Sequence, residues 1–174
     1  DVLKVLGLLM AMGGGSWLAA EQVPYRALLA QHSTRSGERR ALHLEDGSQL
    51  ELNVNTALDV RYATKVRAIQ LYQGEILVRP VSDRQQRPFI VHTDDGSVLA
   101  RSTAFSVRKL AQQTRVGVLE ASVEVRPLRH PDRVLQLHAG QQVSFDQDVV
   151  LDAHALPADS TAWLQGMLSV NDWR

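Results

Sequence analysis

From Arg39 onward the apolar residues fall on every second position in short runs, the period of a strand with one face in a core. Leu42 and Leu44 alternate with polar neighbours; then come Leu50, Leu52 and Val54, then Leu58, Val60 and Tyr62. Ile69 and Leu71 lead to a turn expected at Gln73-Gly74, with Ile76 and Val78 beyond it. Pro88 opens PFIVHT, DDG turns, and the same rhythm continues through Val116, Val123, Leu135 and a turn at Ala139-Gly140 to Phe145. One pattern occurs four times: LEDGSQLEL, LYQGEILV, LEASVEV and LHAGQQVSF. Each is a leucine, two or three turn residues and an alternating strand. Glycine reaches positive φ without penalty, so these copies predict tight hairpins, with another turn type where Ala121-Ser122 replaces glycine. About a dozen short strands between regular turn signals predict an all-β fold, an antiparallel sandwich or roll of short hairpins.

The first twenty residues follow another rule. Val2 to Ala20 is apolar on every side and carries one charge, Lys4. As a helix this stretch measures roughly 28 Å, close to the ~30 Å of a bilayer core. Lys4 can snorkel to one headgroup layer and Trp17 can sit at the other, with the N-terminus on the cytoplasmic side. A cleaved signal peptide and a buried soluble helix are the rival readings, but the expectation is an uncleaved transmembrane helix over 2–20. Residues 21–38 then form a juxtamembrane linker, in which RALLAQH is a candidate short helix and HSTRSG reads as loop. The β-domain is expected over 39–146. Residues 147–174 lose the alternation and end on an apolar-aromatic stretch, which predicts a linker towards a further C-terminal domain. The start at Asp1 rather than Met is expected of a fragment or processed chain.

Composition narrows the function. Nineteen basic residues balance nineteen acidic ones, which argues against a nucleic-acid partner, since that affinity comes from neutralising phosphates. The absence of cysteine removes disulfides, thiolate metal sites and cysteine catalysis. Six scattered histidines, at 32, 43, 92, 130, 138 and 154, never pair at metal-ligand spacing. Asp94-Asp95 before Gly96 reads as turn chemistry. No cofactor or metal is implied, and no enzyme of metabolism. A carbohydrate-binding or hydrolase β-domain is the alternative from another class, disfavoured by 5% aromatic content, and a purely structural envelope scaffold is a third.

VLARSTAFSV, Val98 to Val107, poses a separate question. Its ends alternate like a strand, and its centre holds two hydroxyls, Ser102 and Thr103. A hydroxyl next to its own peptide bond is either strand filler or a nucleophile able to cut the chain.

The motifs taken together resemble the FecR domain, the periplasmic part of FecR-type sigma-factor regulators. The run G-x-x-R-x-x-x-L-x-D-G-S-x-x-x-L-N-x-x-[ST] is met by Gly37, Arg40, Leu44, Asp46, Gly47, Ser48, Leu52, Asn53 and Thr56. Arg67, Ile69, Leu71, Gly74 and Glu75 are similar to the second signature; Arg87, Pro88, Phe89, Val91, Thr93 and Gly96 to the third. STAFSVR, VGVLEASVEV and AGQQV are similar to the fourth, so the resemblance runs from about Gly37 to Val143. It implies an anti-sigma factor that crosses the bacterial inner membrane once, with its C-terminal side in the periplasm. A cytosolic domain, absent from this chain, would bind an extracytoplasmic-function sigma factor. The periplasmic side would sense the signalling domain of a TonB-dependent outer-membrane receptor that imports iron chelates. Some members cleave themselves at a Gly-Thr bond by an N-to-O acyl shift, in the position of Ser102-Thr103. Here Ser102 replaces the glycine, and a Cβ on a left-handed backbone costs about 1–2 kcal/mol. Thr103 keeps the nucleophile, and the expectation is that the bond stays mostly uncut.

Overall fold

The computed structural model describes residues 25–164, so the stretch expected to span the membrane lies outside the described residues, as does the chain after Leu164. A short helix, α1 (Tyr25–Leu28), precedes β1 (His32–Ser33), β2 (Arg40–His43), β3 (Gln49–Leu52), β4 (Ala57–Ala63) and β5 (Val66–Arg79). Then come β6 (Phe89–His92), β7 (Gly96–Ala100), β8 (Phe105–Lys109), β9 (Thr114–Val118), β10 (Ser122–Pro127), β11 (Leu135–His138), β12 (Gln141–Phe145) and β13 (His154–Ala155). The all-β expectation holds. HSTRSG, read as loop, supplies β1, which pairs with Ala57 and Leu58 of β4.

The strands form two sheets that share β5. The first runs β1-β4-β5-β6-β7-β10-β11 and the second β2-β3-β5-β8-β9-β12-β13. Residues up to Gln73 of β5 pair in the first sheet, and Gly74 to Arg79 pair in the second. Fully extended, fourteen strand residues would reach about 46 Å. Instead the Arg67 guanidinium lies 2.9 Å from the Val81 carbonyl oxygen, so β5 has folded over on itself. The chain then returns to the first sheet beside the start of β5, which makes β5–β6 a parallel pair, whereas the other pairs are antiparallel.

The fold-over corrects the turn expected at Gln73-Gly74. Gly74 sits at φ +86° inside a continuous strand, where it bends the chain from one sheet to the other without starting a hairpin. A Cβ there would lie 2.5 Å from Thr56 Cα and would also strike the Thr56 hydroxyl. Two further copies of the repeated pattern behave alike. Ala121 (φ +49°) joins β9 to β10, and Gly140 (φ +79°) joins β11 to β12, each crossing between sheets. Only LEDGSQLEL closes a true hairpin, β2–β3. A left-handed residue turns the chain in all four. Which strands pair afterwards is decided by the neighbours on each sheet.

Both sheets turn their alternating apolar residues inward on one core. Leu50, Leu52, Val78, Phe105, Val107, Val116 and Phe145 come from the second sheet; Leu58, Ile69, Leu71, Phe89, Val91, Val98, Val125 and Leu137 from the first. Near the Gly74 end, Lys109 follows Phe105 and Val107 on the inward face and is buried too. Its Nζ lies 3.0 Å from Asp95 and 3.1 Å from Asp94, and Asp95 also accepts a 2.7 Å hydrogen bond from Thr114. Asp95 is therefore more than turn chemistry: it is a buried counter-ion that ties the β6–β7 turn to the second sheet. Beyond Phe145 the chain does not leave the domain at once. Leu156 packs on the outer face of the second sheet, its Cδ1 2.6 Å from where a Cβ on Gly117 would stand.

Gly74→Ala is expected to destabilise the domain by about 2–5 kcal/mol, from left-handed strain plus overpacking. Gly140→Ala has the same sign of φ but nothing within 4 Å of the added methyl, so it should lose only about 1–2 kcal/mol. Urea midpoints of the two variants check this, and equal losses would show that Gly74 is not the fold-over point.

Candidate functional site

Ser102 and Thr103 do not lie in a strand. They form the crossover, Arg101 to Ala104, that carries the chain from β7 in the first sheet to β8 in the second. Ser102 is exposed and Thr103 is buried, so the two hydroxyls have different fates. The Thr103 hydroxyl donates to the Ser122 carbonyl at 3.1 Å. The next carbonyl, Ala104, accepts from the amides of Leu119 (2.9 Å) and Glu120 (3.2 Å). Thus the β7–β8 and β9–β10 crossovers lie side by side. Gly140 joins them by donating to Val118 at 2.9 Å. Ser102 has none of the positive φ that its glycine-like position suggested, so its Cβ is accommodated without left-handed strain.

Beneath this crossover lies a buried polar cluster centred on Arg67. Arg67 is fully buried and inward-facing, on the same side of β5 as Ile69 and Leu71. Its Nη1 donates to Asp46 Oδ2 at 2.7 Å and to the Val81 carbonyl at 2.9 Å. Its Nη2 reaches the carbonyls of Arg87 (3.0 Å) and, more weakly, Arg101 (3.4 Å). The guanidinium carbon lies 5.4 Å from the centre of the Phe89 ring. Asp46 in turn accepts from the Ser48 amide and hydroxyl and from the Tyr62 phenol at 3.0 Å. Asp83 holds Arg87 by two side-chain bonds, of 2.9 and 3.1 Å. One side chain thereby joins the β2–β3 hairpin, both ends of folded β5, the loop before β6 and the residue preceding Ser102.

Titration follows this geometry. Burial alone would raise the Asp46 carboxyl, but the bonds from Arg67, Ser48 and Tyr62 outweigh it and hold the group below its ordinary value. Burial, reinforced by Asp46, pushes the Tyr62 phenol far above its ordinary value. Asp46 is ionised and Tyr62 neutral throughout the physiological range.

Two clefts flank the crossover. One, of about 340 Å³, is lined by Arg67, Asp83, Arg87, Arg101 and Ser102. The other, of about 260 Å³, is lined by Ser102, Thr103, Ala121, Ser122, Glu124 and Gln136. Glu124 is the carboxylate lining the second cleft, and it is engaged by Arg126 at 2.7 Å. Ser102 thus stands between the clefts, and the hydroxyl of its buried neighbour is already engaged as a hydrogen-bond donor to the Ser122 carbonyl. Among the described residues no group of histidine and carboxylate side chains could hold a metal ion.

Sequence reasoning named Ser102 and Thr103 but missed the roles of Arg67 and Lys109. The signal was present: each is a cation on the inward parity of an alternating strand, Arg67 with Ile69 and Leu71, Lys109 with Phe105 and Val107. The same structure explains the residues that carried the resemblance. Asp46, Ser48, Arg67, Arg87 and Phe89 build the arginine cluster. Asn53, Thr56, Gly74 and Glu75 build the opposite corner, where Asn53 Nδ2 donates to Glu75 and the Thr56 hydroxyl bonds the Glu75 backbone at 3.1 Å.

Fold and cluster define a class: a two-sheet β-domain whose sheets share a folded strand and are clasped by buried ion pairs. Comparison makes this specific. The sequence pattern of the family described as FecR protein matches residues 30–124, more than half of the chain, and the chain belongs to that family. Two crystal structures of a candidate anti-sigma factor from Parabacteroides distasonis, at 1.65 and 2.50 Å resolution, are similar to it. Each is 27% identical, with TM-scores of 0.67 and 0.66, over 78% of this chain and 64% of that one. The chain therefore spans less than two thirds of the length of those proteins. Among curated proteins none matches it. The family match begins at residue 30 and so takes in β1.

Asp46→Ala leaves a buried guanidinium without its counter-ion and is expected to cost about 3–5 kcal/mol. Because the folded-state value of Asp46 is lowered, its contribution is present above the ordinary carboxylate range and is lost as pH falls towards the lowered value. The stability gap between wild type and Asp46→Asn should therefore be full at pH 7 and shrink below about pH 4. Urea titrations across that range measure it, and a pH-independent gap would refute the charge role.

Proposed function

We propose that this chain is the membrane and periplasmic part of a single-pass inner-membrane regulator that controls an extracytoplasmic-function sigma factor. It responds to the signalling domain of a TonB-dependent outer-membrane receptor. The observation that carries the reading is the FecR family match, supported by the likeness to the Parabacteroides distasonis anti-sigma candidate. The site agrees with a relay. Its charged groups are spent on holding the two sheets together, which suits a domain that transmits a docking event rather than one that turns over substrate.

Within that role the Ser102–Thr103 bond is read as a structural crossover that stays uncut. Attack on the Ser102 carbonyl requires the Thr103 hydroxyl to leave the Ser122 carbonyl and find a base, together with donors for the developing oxyanion. The buried hydroxyl has its acceptor in the Ser122 backbone.

Capture experiments with the full-length protein test the function. The cytosolic side should retain a sigma factor, and the periplasmic side should retain the signalling domain of a TonB-dependent receptor. Protease added to the periplasmic face should reach the β-domain but not the N-terminus. Retention of neither partner would sink the reading. Intact mass should give one uncleaved species, and a product beginning at Thr103 would overturn the assignment of the crossover.

A further inference from the structure

α1 docks on the domain through one small side chain and turns its large apolar ones away. Ala27 is buried, and the helix meets β4 and β5. Tyr25, Leu28 and Leu29, spaced i, i+3 and i+4 and so on one side of the turn, are 66%, 75% and 80% exposed. These are the most exposed large apolar side chains among the described residues. Arg26 lies beside them, its Nε 3.2 Å from the Tyr25 hydroxyl and its guanidinium carbon 5.8 Å from the ring centre. Arg61, also exposed, follows on β4, the strand against which the helix packs, where it is paired with Asp59 at 3.3 Å and donates to the Tyr72 hydroxyl at 3.0 Å.

Where the preceding chain ends says what covers this face. The apolar stretch read as a membrane span closes at Ala20, and only four residues separate it from Tyr25. A connection of that length reaches at most about 18 Å. If the stretch spans, the helix is therefore confined to the headgroup layer or just above it. There a tyrosine, two leucines and flanking arginines are the side chains an anionic bilayer surface takes up: ring and aliphatic groups among the upper acyl chains, cations at the phosphates.

We propose that Tyr25, Leu28 and Leu29 form a foot that rests in the headgroup layer of the bilayer and seats the β-domain against it in one orientation. This rests on the membrane reading of residues 2–20. The foot adds a second attachment point beside the span, so the edge of the first sheet that carries β1 and β4 faces the lipid.

The chain has no cysteine, so a single Leu28→Cys in the full chain takes one environment-sensitive fluorophore cleanly. Leu128→Cys, 55% exposed beyond β10 on the far side of the first sheet, is the control. Both are reconstituted in vesicles of phosphatidylethanolamine and phosphatidylglycerol, with and without nitroxide-labelled lipid. The expected result is flotation of both proteins with the vesicles, with blue-shifted emission quenched by the nitroxide lipid at position 28 only. Flotation with water-like emission at 28 would overturn the foot and leave the anchor standing. A blue shift without lipid quenching would mean that protein covers the face, and equal quenching at 28 and 128 would mean unspecific adsorption; either overturns it. Failure to float would remove the membrane reading and the foot together.

Discussion

A buried guanidinium organises this domain. Removing Arg67 and Asp46 from water costs several kcal/mol per ion, and their mutual attraction repays it only if the remaining donors and acceptors are met. Most are met, by groups that would otherwise drift apart: the Val81 and Arg87 carbonyls, the Ser48 amide and hydroxyl, and the Tyr62 phenol, while the Arg67 Nε is left without a partner. An apolar pair of similar volume could pack as tightly, but it would lack these directional bonds. The directional bonds of one planar group fix where a strand that has folded over must close.

The rest of the architecture depends on that closure. A strand shared by two sheets brings its own end back beside its start, which explains the parallel β5–β6 pair in an otherwise antiparallel fold. The two open ends are then fastened separately: Arg67–Asp46 where β5 closes, Lys109–Asp95 near Gly74 where it bends. Corners stack at both ends as well, Asn53–Thr56 on Gly74 and Glu75, and the 101–104 crossover on Leu119 and Glu120. Each corner leaves backbone groups that neither sheet can pair, and the neighbouring corner supplies their partners.

This arrangement has a functional consequence for the proposed relay. The crossover that carries Ser102 and Thr103 is bonded to Arg67 on one side, through the Arg101 carbonyl, and to the β9–β10 corner on the other. Ion pairs and corner hydrogen bonds thus form one connected network that spans both sheets. The exposed face of α1 sits at the opposite edge of the first sheet from β11, so in the proposed seating the β11 edge is turned outward.

The alternation of Leu50 with Leu52, Val98 with Ala100 and Val123 with Val125 fixed the strands and their inward faces, because period-two burial is a local property of a pleated chain. The inward parity of Arg67 and Lys109 was equally legible, and so was the apolar character of residues 2–20. Four similar glycine- or alanine-bearing turns were legible as turns. Their sorting into one hairpin and three passages between sheets was not, since a left-handed residue reverses or bends the chain in the same way whichever strands then pair. The burial of Asp95, the place of Ser102–Thr103 at a crossover and the convergence of Asp46, Arg67 and Arg101 belong to tertiary structure alone. They join residues up to 55 positions apart, over distances that local propensity cannot span.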